Sequence, residues 1–182
     1  ESVTYTVGNR ENQIQTKEIL PEGDFPVVSQ GQSLIDGYTN QREKVIHNLP
    51  LVMFGDHTRN VKYIDFPFVI GADGTKFHKC ILVYPKFLYY WMIYASGQLR
   101  NRGYARHYVL LKQQLIPLPP LSEQERIVAR IEELLPYIDR YERAWSKLEE
   151  LNKRFPIDLQ KSILQMAIQG KLVEQRPEEG TG

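Results

Sequence analysis

An apolar repeat in the second half of the chain restricts its fold more than any other feature. Apolar residues stand at Ile127, Ile131, Leu134, Ile138, Tyr141, Trp145 and Leu148, in steps of 4 and 3. That spacing puts them on one stripe of an α-helix, with Ile131, Ile138 and Trp145 at heptad position a and Leu134, Tyr141 and Leu148 at d. Asn152 takes the next a position and Phe155 the next d. A single polar residue at a is a device for setting register. Glu132, Glu133, Asp139, Arg140, Glu142, Arg143, Glu149 and Glu150 occupy the outer positions. Leu135 and Leu151 widen the stripe, as in a helix that also rests on a globular body.

Both ends of this helix are marked. Leu118-Pro119-Pro120-Leu121 stops what precedes it, because each proline fixes φ and lacks an N–H. Ser122 and Glu125 then fit a capping box, which predicts a helix beginning at Ser122. Pro136 lies off the seam and predicts a kink; Pro156 is expected to end the run and open a second, shorter helix that stops at Gly170. From Ser122 to Phe155 the helix would span roughly 50 Å.

The first 121 residues read as an α+β, β-rich globular domain, with residues 122–182 as a helical and assembly region. Strands are expected at Phe25–Ser29, Leu51–Phe54, Val61–Ile64, Phe68–Ile70, Cys80–Tyr84, His107–Leu111 and Leu115–Leu118, where apolar runs are bounded by Gly, Pro and Asp turns. Residues 1–20 alternate weakly and suggest a strand whose partner is missing. Lys86–Ser96 reads as a helix, with Phe87, Tyr90, Trp91 and Tyr94 on its core side and Gly97 as its stop.

Charge is distributed unevenly. Residues 56–121 carry nine Lys/Arg against three Asp/Glu, while the segments on either side are net acidic. A basic middle of this kind suits a face that meets a polyanion. Within it, Arg100, Asn101, Arg102, Tyr104, Arg106 and His107 fall in one glycine-punctuated loop. Arg reads guanine, Asn and Gln read adenine, and both Arg and Lys neutralise phosphates. A second candidate loop holds His57, Arg59, Asn60 and Lys62, and a third holds Gln30, Gln32 and Ser33. These residues are the expected DNA-binding set.

Catalytic signatures are missing from the sequence. There is no glycine-rich phosphate loop and no G-x-S-x-G. The four histidines lack metal-ligand spacing, and one cysteine cannot complete a zinc set. Asp56-His57 reads as turn chemistry, and Asp65, Asp73 and Lys76 lack the further acid of a metal-dependent nuclease. We therefore expect no enzymatic activity, no catalytic residues and no bound metal in this chain. The lone Cys80 excludes an internal disulfide and suits a reducing, cytoplasmic compartment. The apolar run Phe87–Ala95 is far short of the ~20 residues of a membrane span. The start at Glu1 and the Pro177–Gly182 end suggest a piece of a longer chain.

The segment Ile116-Pro117-Leu118-Pro119-Pro120-Leu121-Ser122-Glu123-Gln124, with Arg126-Ile127-Val128, resembles a junction in the DNA-specificity (S) subunits of type I restriction-modification systems. That junction joins a target recognition domain to a conserved helix. The run from Leu159 to Val173 is similar to the same family's helical region. Phe25–Gln30, Ile35–Tyr38 and Lys86–Tyr90 are similar to its recognition domain. The resemblance implies double-stranded DNA as partner, recognition of one half of a split site, and docking of modification subunits by the helices. It places S-adenosylmethionine, Mg²⁺ and ATP on partner subunits, with no cofactor here. Whole subunits of this family carry two recognition domains, and this chain carries one.

The alternatives are a coiled-coil interaction protein without DNA specificity and a stand-alone nuclease or methyltransferase. Within this chain no second helix of comparable length covers the seam. A homodimer through Ile127, Ile131, Leu134, Ile138, Tyr141, Trp145, Leu148 and Asn152 is therefore expected, or pairing with a second half-subunit. An antiparallel two-fold pair would hold two recognition domains up to about 50 Å apart.

Overall fold

The computed structural model describes residues 3–8, 10–71, 74–100, 103, 106–174, 178 and 180. The chain divides into two compact units, Glu1–Arg130 and Ile131–Gly182. In chain order the elements are β1 (Thr4–Val7), β2 (Phe25–Val28), β3 (Gly37–Thr39), β4 (Leu51–Gly55), β5 (Val61–Ile64), β6 (Val69–Ile70), β7 (Thr75–Cys80), α1 (Pro85–Gln98), α2 (Tyr108–Leu111) and α3 (Leu121–Ile168). Among the described residues three short 3-10 turns lie between them. The α+β class with a long C-terminal helix is the one expected.

The first unit is built around β4. This strand is the continuous apolar run Leu51-Val52-Met53-Phe54, and every residue of it is buried. A strand alternates its side chains between faces, so a run without polar positions needs cover on both. It has that cover. Val52 and Phe54 face α1, where Phe87, Leu88, Met92 and Ala95 pack, joined by Leu111 and by Val128 from the first turns of α3. Leu51 and Met53 face the other way, with Ile64 and Phe77, onto Val28, Ile46, Phe68 and Ile70. The sheet has the order β1-β7-β4-β5 and is antiparallel throughout. A second sheet, β3-β2-β6, pairs β2 with β3 antiparallel and with β6 in parallel.

Several sequence expectations need correction. The first strand does have a partner, since Thr4–Val7 pairs with Phe77–Cys80. The seventh strand runs Thr75–Cys80, upstream of the expected Cys80–Tyr84. Ile81 and Leu82, whose apolarity suggested that strand, are mostly exposed. The expected strand His107–Leu111 is the short helix α2, bent into that shape by hydrogen bonds to Asp56 described below. Leu115–Leu118 forms no strand; it contains Pro117 and precedes Pro119 and Pro120, none of which can donate to a ladder. On α1, Phe87 is core, but Tyr90 and Trp91 are half-buried and Tyr94 is exposed. Gly97 lies inside α1, and the helix ends with the Leu99 amide donating to the Ser96 carbonyl at 3.3 Å.

Helix α3 begins earlier than the capping-box reading predicts. The Gln124 amide donates to the Pro120 carbonyl at 3.0 Å, which makes Pro120 the N-cap and puts Ser122 inside the first turn. Nor does Pro156 end the helix. Both Pro136 and Pro156 lie within it. Proline's fixed φ is helical, and its penalty is one lost hydrogen bond and one local clash of about 3 kcal/mol. Strong helix formers on both sides carry the helix through. Gly170 does act as the stop. It has φ +66, its amide donates to Ala167 at 3.1 Å, and the Lys171 amide donates to Met166 at 2.9 Å. That pair of bonds is a Schellman motif, which needs a left-handed residue best supplied by glycine.

In the second unit the seam residues Leu134, Ile138, Tyr141, Trp145 and Leu148 are all exposed, as are Leu151 and Phe155. Tyr141 and Trp145 stack with ring centres 6.3 Å apart. No helix of the described residues is long and apolar enough to cross a membrane.

Candidate nucleic-acid interface

Two loops of the first unit and the flanks of a third are tied together, and the tie is the turn after β4. Residues 55–60 close on themselves: the Gly55 amide donates to the Asn60 carbonyl at 2.8 Å and the Arg59 amide to the Gly55 carbonyl at 2.8 Å. Arg59 has φ 62, a conformation uncommon for a residue with a side chain. Gly55 cannot be larger, because a Cβ there would lie 2.4 Å from Thr58 Oγ1 and 2.9 Å from Gln30 Cβ.

The 29–36 loop is bound to this turn by polar side chains. Thr58 Oγ1 donates to the Gln30 carbonyl at 2.7 Å, and Asn60 Nδ2 donates to the same oxygen at 2.9 Å. The Gln30 side chain in return accepts from the His57 amide at 3.2 Å. Lys62 Nζ donates to the carbonyls of Ser29, at 2.6 Å, and of Ser33. Ser29 Oγ donates to the Asp36 carboxylate across the loop. Burial holds the Lys62 ammonium below its ordinary pKa, against the upward pull of Asp36.

The basic loop is fastened to the same turn at both ends. Arg59 Nη1 donates to the Leu99 carbonyl at 3.0 Å, immediately before Arg100. At the other end the Asp56 carbonyl accepts from the His107 amide at 2.9 Å and lies 3.1 Å from its ring Nδ1. A carbonyl only accepts, so Nδ1 carries the proton. Asp56 Oδ1 also accepts from the Tyr108 amide at 2.8 Å, and the Asp56 amide donates to the Gly74 carbonyl at 2.7 Å. Thus Asp56 and Arg59, three residues apart, hold both ends of the Arg100–Arg106 segment.

The expected DNA-binding residues therefore sort by position. Arg100, Arg106, Gln32 and Ser33 are exposed. Gln30, His57, Arg59 and Asn60 are half-buried and knit the loops together. Lys62 and His107 are buried and act inside the domain, as positioning groups. Asn101, Arg102 and Tyr104 lie outside the described residues. In sequence Asp56 reads as turn chemistry, yet it is the hub; an Asp ending a buried strand beside a glycine is its one local sign. A groove of about 780 Å³ between β1, α1 and α2 includes none of the described members of the expected set.

A β-rich domain that gathers polar and basic loops at one end of its central sheet, and continues into a long helix with an exposed heptad seam, has the architecture of a DNA-specificity module. The chain belongs to the type I restriction modification DNA specificity domain family, whose model matches residues 5–150. A similar fold is found in the crystal structure of the HsdS subunit from Thermoanaerobacter tengcongensis, with a TM-score of 0.57 and 22% identity. The similarity covers 92% of this chain and 42% of that one, so the chain spans less than half of that subunit's length. No curated protein matches the sequence.

Proposed function

We propose that this chain recognises double-stranded DNA in a sequence-specific way, as the specificity subunit or half-subunit of a type I restriction-modification complex. The observation that carries this reading is the fastening of both ends of the basic loop to the Asp56–Arg59 turn, beside the Gln30–Ser33 loop. Such anchoring presents exposed Arg100 and Arg106 on a preorganised surface, which lowers the ordering cost of binding. Family membership supports the same reading. The chain performs no bond chemistry itself. Methyl transfer with S-adenosylmethionine, and cleavage with Mg²⁺ and ATP, belong to partner subunits in the cytoplasm.

The exposed seam of α3 supports a second part of the proposal. Ile131, Leu134, Ile138, Tyr141, Trp145, Leu148 and Asn152, with Ile127 on the first unit's part of the helix, form the assembly surface. It pairs two copies, or two halves of a specificity subunit, and docks the modification subunits. The decisive experiment selects bound duplexes from a randomised pool, with the modification subunit present. Enrichment of one interrupted site supports the reading. Binding without sequence preference would leave an interaction protein, and cleavage or methylation by the isolated chain would make it an enzyme.

A further inference from the structure

Tyr108 opens α2 beside the central sheet. Its ring lies 6.2 Å from that of Phe54 and 5.5 Å from that of His78. Two ammonium groups from distant parts of the chain approach this one ring. Lys76 Nζ, from β7, lies 5.9 Å from its centre, and Lys112 Nζ, from the end of α2, lies 5.7 Å from it. Among the described residues neither lysine has a carboxylate within 4 Å. Among the described residues, Asp56 Oδ1 accepts from the Tyr108 amide.

The placement joins this cluster to the loops already described. Lys76 stands opposite Phe54 in the sheet, one residue from the pair Gly55–Thr75 at the start of the 55–60 turn. Exposed Arg106 precedes Tyr108 by two residues. The electron-rich face of a tyrosine ring attracts a cation at this range, so Tyr108 is a common partner for both lysines. Along one DNA strand a phosphate recurs roughly every 3.4 Å of helix axis, so a strand supplies closely spaced anions to such a pair.

Resting on the proposed DNA reading, we propose that Lys76 and Lys112, gathered by Tyr108, form a phosphate-backbone clamp that extends the interface beyond the three loops. It sets how tightly the duplex is held and carries no base information. Both lysines belong to the basic 56–121 segment, and nothing local in the sequence brings them to one ring.

The test is binding of the full chain to its selected duplex across a salt series, for wild type, Lys76→Gln/Lys112→Gln, Lys76→Arg/Lys112→Arg and Arg106→Ala. Losing two phosphate contacts lowers the log–log salt slope by about 1.8, so the affinity lost between 50 and 200 mM salt becomes about 12-fold smaller. The proposal expects that change in the Gln pair, an unaltered preferred site, and recovery of the wild-type slope in the Arg pair. An unchanged slope in the Gln pair, with a flattened slope in Arg106→Ala, overturns the clamp and leaves the DNA reading intact. A changed base preference in the Gln pair overturns the backbone assignment. Failure of the wild-type chain to bind duplex DNA overturns the clamp together with the reading beneath it. Thermal unfolding of each variant separates misfolding from loss of contact, since a purely structural role does not move the salt slope of folded protein.

Discussion

The backbone N–H of Tyr84 donates to Oε1 of Gln124 at 2.8 Å. Tyr84 is the N-cap of α1, whose first amides have no partner within the helix. Gln124 is in the first turn of α3, only 2% exposed, and its Nε2 donates to the Pro119 carbonyl at 2.8 Å. One amide side chain thus satisfies a donor from one helix start and an acceptor from the proline segment before the other. A glutamine does both at once; a carboxylate has no donor for Pro119.

Gln124→Ala leaves both groups without their partner. The expected cost is about 1–3 kcal/mol, read by urea denaturation. Gln124→Glu keeps the acceptor for Tyr84 and is expected to fall between wild type and Ala. Its deficit should shrink at acid pH, where the protonated carboxyl can donate. Equal stability of all three proteins would show that this joint does not contribute.

Lys62 and Arg106 are expected to respond differently although both are basic residues of the 56–121 segment. Lys62→Met removes two bonds to the 29–33 carbonyls and should cost about 1–3 kcal/mol. Its DNA salt slope should stay at the wild-type value while the site preference broadens. Arg106→Ala should do the reverse, lowering the slope by about 0.9 with little effect on stability. A lowered slope in Lys62→Met would put that ammonium on DNA.

His78 makes stability depend on pH. It is 5% exposed, its Nε2 has no hydrogen-bond partner among the described residues, and Nδ1 lies 3.3 Å from Thr4 Oγ1. Burial first, and then Lys76, lower its pKa from 6.5 to about 4. Between these values the unfolded chain binds the proton and the folded chain does not, so stability falls as pH drops from about 6.5 to about 4. The loss attributable to this group approaches about 3 kcal/mol. His78→Phe should flatten the stability–pH curve in that window; a curve parallel to wild type refutes the assignment.

Ile138→Asp places a charge in the middle of the exposed seam. If two copies pair through it, sedimentation of the wild-type chain at micromolar concentration shows a dimer and that of the variant a monomer. Each fully buried Ile or Leu at such a seam is worth roughly 1.5–3 kcal/mol, so one charge suffices to shift the balance. A wild-type monomer would leave the seam to another partner.

Periodicity determined much of this protein by itself. The helix with its seam, the doubly covered strand β4, the strands β2 and β5 and the helix α1 each announce themselves within a short window, because side-chain direction repeats every 3.6 or 2 residues. The Pro-rich junction and the Gly170 stop are likewise local chemistry. Only the tertiary structure decided what the polar residues do. Lys62 is buried because carbonyls about 30 residues earlier in the chain converge on it. The partner of β1 lies more than 70 residues ahead, and α2 takes its shape from Asp56, about 50 residues back. An ammonium, an amide or a carboxylate looks the same in sequence whether it faces water or a carbonyl. Which one it meets depends on contacts between distant segments, and those exist only once the sheets and α1 have packed.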